Sequence, residues 1–184
     1  IQTFNMWKYS KKDRHYPLLN INQYLNEKNI HPKLNFIYIT LPDLSDDVID
    51  KTKNDLSAVL VIDTLNLHGM AEQRSIFIKL INAKSEVPVI IGRTYDDLSS
   101  EDLQLCSSTD IGALLIDGLG DGIYIAAKNC DSLEKINKTS FSILQATRTR
   151  ITKTEYISCP SCGRTQFDLQ KTTAMVRNKT SHLK

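Results

Sequence analysis

Two cysteines set three positions apart, Cys159 and Cys162, are the residues of this chain best placed to do chemistry. They stand in the stretch Ile-Ser-Cys-Pro-Ser-Cys-Gly-Arg-Thr, residues 157–165. Pro160 fixes one backbone angle, and Gly163 admits angles closed to other residues, which suits a tight turn. Residues 154–158 read as a short strand and residues 167–183 have helical spacing, so the turn falls where a strand yields to a helix. The first N–H groups of a helix have no partner within it, and its dipole favours negative charge there. That setting favours the thiolate, the form that binds metal. Three chemistries fit the spacing. They are half of an iron–sulfur ligand set, half of a structural zinc knuckle, and a dithiol redox pair. An ordinary turn with two unligated thiols is the plain alternative.

The remaining cysteines, Cys106 and Cys130, show no paired spacing, which argues against a secreted disulfide framework and fits a reducing setting. The chain has 184 residues, 41% hydrophobic and 24% charged, enough for one domain and part of a second. A formal net charge of +2 is far from the basic bias of a nucleic-acid binder. No apolar run reaches membrane-spanning length. Lys11, Lys12 and Arg14 form a small basic cluster that reads as a solvated segment. The chain opens at Ile1 and stops at Lys184 without a stop signal for its last helical pattern, which reads as an internal piece of a longer polypeptide.

Ahead of the cysteines the pattern alternates between strand and helix. Pro17 is expected to open a helix through Tyr24 and Leu25, and residues 36–39 to form a strand ended by Leu-Pro-Asp at 41–43. Residues 58–62 are a continuous apolar run, as in a parallel strand covered on both faces. A helix is expected over 70–83 and a strand over 87–91, turned by Gly92-Arg93-Thr94. Ser99 or Ser100 caps a helix through Cys106; residues 113–116 then read as a strand, and residues 123–125 as another. Asp131, with Glu134, is expected to start a longer helix running to Ile151, with Arg148, Arg150 and Lys153 near its end.

Such alternation predicts an α/β fold with a parallel sheet. No Gly-x-Gly-x-x-Gly follows a strand, so a (β/α) barrel, whole or partial, is preferred to a dinucleotide-binding sheet. Asp63, Arg93, Asp117 and Asp121 are placed at the carboxyl ends of strands, where barrel enzymes keep their sites; as turn and capping residues they need no such role. The domain boundary is expected near Thr152.

The cysteine stretch, with Phe-Asp-Leu-Gln at 167–170 and Lys-Thr-Ser-His-Leu at 179–183, resembles the hydroxymethylbutenyl diphosphate synthase family. Gly-Leu-Gly-Asp-Gly at 118–122 and Ser-Phe-Ser-Ile-Leu-Gln at 140–145 extend the resemblance, which is close over residues 112–183. The resemblance implies an iron–sulfur oxidoreductase of the methylerythritol phosphate route to isoprenoids. Its 4Fe–4S cluster is held by three cysteines and a glutamate. Cys159 and Cys162 match the first two ligands; the third cysteine and the glutamate are expected beyond this chain. Cys106 and Cys130 do not match their context.

The family has a shorter layout and a longer one with an inserted barrel-like domain. In the shorter layout the last barrel strand carries Arg and Ser residues that hold the diphosphate. Residues 123–127 lack both, so the resemblance implies the longer layout. Residues 1–151 are then the inserted barrel-like α/β domain, a spacer and scaffold, and residues 152–184 begin the α/β iron–sulfur domain. The implied reaction is a two-electron reductive ring opening of 2-C-methyl-D-erythritol 2,4-cyclodiphosphate, with ferredoxin or flavodoxin as donor. Arg164 is the residue of this chain with an implied electrostatic role; a helix-start ion pair with Asp168 is its plain reading. The segment alone is expected to be inactive. Its implied partners are the electron donor and the substrate barrel of the whole protein, within one chain or in a homodimer, with no nucleic acid or membrane. The implied location is the bacterial cytoplasm or a plastid. A zinc-knuckle interaction module on an α/β scaffold is the alternative.

Overall fold

The computed structural model describes residues 1–10, 12–130, 132–156, 163–164 and 166–183. Among the described residues six strands form one sheet: β1 (Gln2–Thr3), β2 (Pro17–Asn20), β3 (Asn35–Ile39), β4 (Ala58–Ile62), β5 (Val89–Asp96) and β6 (Gly122–Lys128). All neighbours are parallel, and their order in the sheet is their order in the chain. Helices α1 (Phe4–Ser10), α2 (Ile21–Asn26), α3 (Asp46–Lys53), α4 (Gly69–Asn82) and α5 (Ser100–Ile116) make the crossovers, and α6 (Leu133–Ala146) follows β6. Sequential parallel strands with a helix in each connection are the topology of a (β/α) barrel, here a curled partial one. The α/β class and the partial barrel are as the sequence predicted.

The local reasons are readable. In β4 four of five side chains are buried, as its unbroken apolar run requires. Ser45 caps α3 by accepting from the Val48 N–H; Asp46 and Asp47 sit in the first turn and Lys51 and Lys53 in the last, matching the helix dipole. The core joins Leu19, Ile37, Ile39, Leu60, Ile62 and Ile91 of the sheet to Ile76, Leu80, Ile111 and Leu114 of the covering helices. Among the described residues no helix is long and apolar enough to cross a membrane.

Several expected elements differ. Pro17 opens strand β2, and the helix begins only at Ile21, because Asn20 forms a capping box with Gln23. Gly92, Arg93 and Thr94 continue β5 to Asp96, paired throughout with β6. Residues 113–116 are the last turn of α5, not a strand. Ser99 caps that helix, and Leu103, Ser107, Ile111, Leu114 and Leu115 bury one of its faces. Helix α6 ends at Ala146, so Arg148, Arg150 and Lys153 lie past it. Its cap is Ser132, whose side chain accepts from the Lys135 N–H, and Asp131 lies outside the described residues. Residues 154–156 are not strand, and the rest of that expected strand, 157–158, lies outside the described residues. Within the helical stretch after the cysteines, α7 spans Leu169–Lys179, capped by Asp168.

Candidate functional site

Cys159 and Cys162 lie outside the described residues; the chain on either side of them is described. Before them, the link from α6 is pinned by Gln145, which is 2% exposed. Its Oε1 accepts from the Thr152 N–H at 3.1 Å, the Thr152 hydroxyl at 3.2 Å and the Lys153 N–H at 3.1 Å. Its Nε2 donates to the Lys153 carbonyl at 2.9 Å. One buried amide thus fixes two successive residues of the link. Arg148, with φ of 62°, turns back so that its guanidinium meets Glu155 at 2.7 Å. Arg150 lies over the Phe141 ring at 5.3 Å, a cation–π contact that holds the link against α6.

After the cysteines, Asp168 accepts from the Lys171 N–H at 3.0 Å and starts α7. That bond is a helix cap, and Arg164 is exposed in the turn ahead of it. The two sides meet. The Tyr156 hydroxyl lies 2.7 Å from the Thr180 hydroxyl and donates to the Thr180 carbonyl at 3.1 Å, and the Thr154 hydroxyl donates to the Leu183 carbonyl at 3.2 Å.

A second polar cluster gathers around the carboxyl ends of β3, β4 and β5. Asp63, 2% exposed, accepts from the Thr64 N–H at 2.8 Å, the Thr94 hydroxyl at 2.9 Å and the Tyr38 hydroxyl at 3.3 Å. Burial, and then the Asp63 charge, push the Tyr38 phenol up to about 12. Arg93 reaches Asp110 of α5 at 2.8 Å through Nε and donates to the carbonyls of Thr64 and Asn66, each at 3.1 Å. The Tyr95 hydroxyl also donates to Asp110, at 3.0 Å. Burial, then the Asp110 charge, raise the Tyr95 phenol. Burial works to lower the Arg93 guanidinium, but Asp110 and Tyr95 outweigh it and raise it further. Gly69 leaves the room that Arg93 occupies, since a Cβ there would strike the guanidinium and the Thr64 methyl. Gln73 of α4 donates to the carbonyls of Ile62 and Gly92 at 3.2 and 2.7 Å.

These groups bond to one another and to backbone, so they brace the connection from β4 to α4. Of the four residues expected at strand ends, only Asp63 is there. Arg93 is within β5, Asp117 is the C-cap of α5 paired to Arg74 at 2.6 Å, and Asp121 precedes β6, where it accepts from the Val89 N–H at 2.8 Å. The last two were displaced by the misread strand at 113–116. Cys106 and Cys130 are free thiols packed on Tyr95, Leu103 and Ile136. Among the described residues no three His, Cys, Asp or Glu side chains gather into a metal-binding group. Sequence reasoning missed the Gln145 pin; a lone amide after an apolar stripe carries no signal of its partners.

Fold and pin together define a (β/α)-barrel-type scaffold bearing a cysteine-containing C-terminal arm. No family model matches the chain. A 4-hydroxy-3-methylbut-2-en-1-yl diphosphate synthase (flavodoxin) of Parabacteroides distasonis is 41% identical over 180 residues, 98% of this chain and 29% of that protein. The enzyme of the same name from Leptospira interrogans is 47% identical over 104 residues, 56% of this chain and 15% of that protein. A chloroplastic 4-hydroxy-3-methylbut-2-en-1-yl diphosphate synthase (ferredoxin) of Oryza sativa is 52% identical over 86 residues, 47% of this chain and 11% of that protein. By sequence the chain belongs with the 4-hydroxy-3-methylbut-2-en-1-yl diphosphate synthase family, matching one segment of its members. It spans under a third, 29%, of the Parabacteroides relative.

Proposed function

We propose that this chain is the scaffold and the beginning of the cluster-bearing part of a 4-hydroxy-3-methylbut-2-en-1-yl diphosphate synthase of the longer, three-domain layout. Residues 1–151 are the inserted barrel-like domain and residues 152–184 open the iron–sulfur domain. The observation that carries the reading is the similarity to a 4-hydroxy-3-methylbut-2-en-1-yl diphosphate synthase (flavodoxin) over 98% of the chain. The internal satisfaction of Asp63, Arg93 and Asp110 supports a structural role for the half-barrel.

Cys159 and Cys162 supply two thiolates to a 4Fe–4S cluster. The donor set fits in kind, since thiolates are the ligands of such clusters. Two thiolates do not complete such a set, so the remaining ligands come from elsewhere in the polypeptide. When bound, the cluster supplies electrons for the reductive ring opening of 2-C-methyl-D-erythritol 2,4-cyclodiphosphate. The donor is flavodoxin or ferredoxin, the two named for the relatives. This chain's own part is to hold the two thiols on an arm pinned at Gln145 and to place the Arg164 charge beside them in sequence. The 184 residues alone are inactive.

Iron, acid-labile sulfide and zinc are to be measured on the whole polypeptide purified without oxygen. Iron and sulfide near about four each per chain are expected, and Cys159→Ser or Cys162→Ser loses them. Stoichiometric zinc without sulfide would sink the assignment. Arg164→Gln should leave the iron content unchanged and lower the cluster's reduction potential, because a nearby positive charge favours the reduced state. An unchanged potential removes Arg164 from the site.

A further inference from the structure

Charge is segregated between the two ends of the half-barrel. The connections at the carboxyl ends of β3, β4 and β5, over residues 40–48, 63–72 and 96–102, hold nine carboxylates and no lysine or arginine. Helix starts account for part of this bias. The amino ends of β2 and β3 are the reverse. Lys12 and Arg14 stand in the connection from α1 to β2, and Lys28 and Lys33 in the one from α2 to β3.

Lys12, Arg14 and Lys33 border one cleft of about 500 Å³ between those two connections. All three are exposed, and none has a carboxylate partner among the described residues. The carboxylate in the cleft, Asp13, is turned to its own loop, where it accepts from the Arg14 N–H at 3.0 Å. The base beneath the cations is braced. His31 Nδ1 accepts from the Lys33 and Leu34 N–H groups at 3.1 and 3.2 Å, which puts the ring proton on Nε2. The same ring meets Trp7 and Tyr16 edge-on at 5.8 and 5.1 Å. Asn35, fully buried, accepts from the His31 N–H at 2.9 Å and donates to the His31 carbonyl at 2.7 Å. Unpaired cations on a rigid base suit an anionic partner surface.

The cysteine arm leaves from the same end. Thr149 and Arg150, which follow α6, line a cavity with Asp121 and Gly122 at the amino end of β6. The carboxylates beside it are engaged, Asp117 with Arg74 and Asp121 with the Val89 N–H. Strands β3 and β6 are three spacings apart, about 15 Å along the sheet. A globular protein of roughly 150 residues is about 30 Å across. One such partner seated on the cleft therefore reaches the root of the arm.

We propose that the cleft between the α1–β2 and α2–β3 connections is the docking surface for the electron carrier, a small protein presenting carboxylates. The acidic end of the half-barrel repels such a carrier, and the basic corner steers it to the end from which the arm leaves. The proposal rests on the reading of this chain as part of a flavodoxin- or ferredoxin-driven synthase.

The test is steady-state turnover of the whole polypeptide with reduced flavodoxin and with reduced ferredoxin. The KM for the carrier should rise about tenfold or more between about 50 and 300 mM salt. Lys12→Glu combined with Lys33→Glu should raise it about tenfold or more at low salt while kcat is kept. Lys12→Gln combined with Lys33→Gln should raise it less; this pair adds no charge and carries the test if the Glu pair does not fold. Lys138→Glu, at an exposed position of α6, reverses a charge elsewhere and should leave the KM as it was. An unchanged KM in both double variants, or an equal rise in Lys138→Glu, overturns the proposal. Turnover of the unaltered polypeptide driven by dithionite, which needs no docking, tests the enzyme assignment separately.

Discussion

Arg93 of β5 and Asp110 of α5 meet at 2.8 Å with side chains 6% and 16% exposed, so a strand and the helix that covers it are joined by a nearly dry ion pair. The pair is not isolated. Tyr95 donates to the same carboxylate oxygen, and the guanidinium also holds the carbonyls of Thr64 and Asn66. Removing Asp110 leaves a buried cation with part of its partners. Asp110→Ala should destabilise the protein by about 3 kcal/mol in urea unfolding. The double replacement Arg93→Met, Asp110→Leu should cost less than the single one, because no unpaired charge remains.

Gln145→Ala removes four hydrogen bonds at once. Thr152 and Lys153 are exposed, so water replaces their lost partner and the global cost is modest, about 1–2 kcal/mol. The local effect is larger. Protease cleavage between residues 148 and 156 should become markedly faster, while cleavage within the half-barrel stays unchanged. Equal cleavage in both proteins would show that the arm is held by other contacts.

Gly120 has φ of 90°, and a Cβ there would come within 2.7 Å of the Ile91 side chain, which is fully buried. Gly120→Ala combines a disfavoured backbone with overpacking and should cost about 1–3 kcal/mol. Gly118→Ala, with φ of 75° but open space around it, should cost less. Thermal unfolding of the two variants separates strain from collision.

Tyr38 is pushed up to about 12 in the folded protein by its burial and by Asp63. A phenol in the unfolded chain titrates near about 10. The folded state thus holds the proton more tightly. Its contribution is complete below about pH 10 and is lost as pH rises toward about 12. Urea midpoints measured from pH 8 upward should fall across that window. Tyr38→Phe should flatten part of the fall, leaving the remainder to the raised phenols of Tyr24 and Tyr95.

How far the sequence led depends on what each residue's neighbours are. The run at 58–62 announced β4 because both faces of a central strand are covered and apolar residues need no alternation. The equally apolar run at 113–116 misled because a short apolar run at a helix end, here with Leu114 and Leu115 buried and Ile116 exposed, looks like a strand over four residues. Arg93 looked like a turn residue because a charged side chain within a buried strand is unusual; its partner Asp110 is on the following helix, 17 positions away. The cysteine pair was legible from spacing alone, whereas Gln145 was not. An amide's worth lies in the carbonyl and N–H groups it meets, and those are placed only by the end of α6 and the turn at Arg148.

The hydrogen bond between Tyr156 and Thr180 spans 24 positions and ties the arm into a ring with Cys159 and Cys162 inside it. A ring shortens the search each thiol must make for a shared ion, because binding by one raises the local concentration of the other.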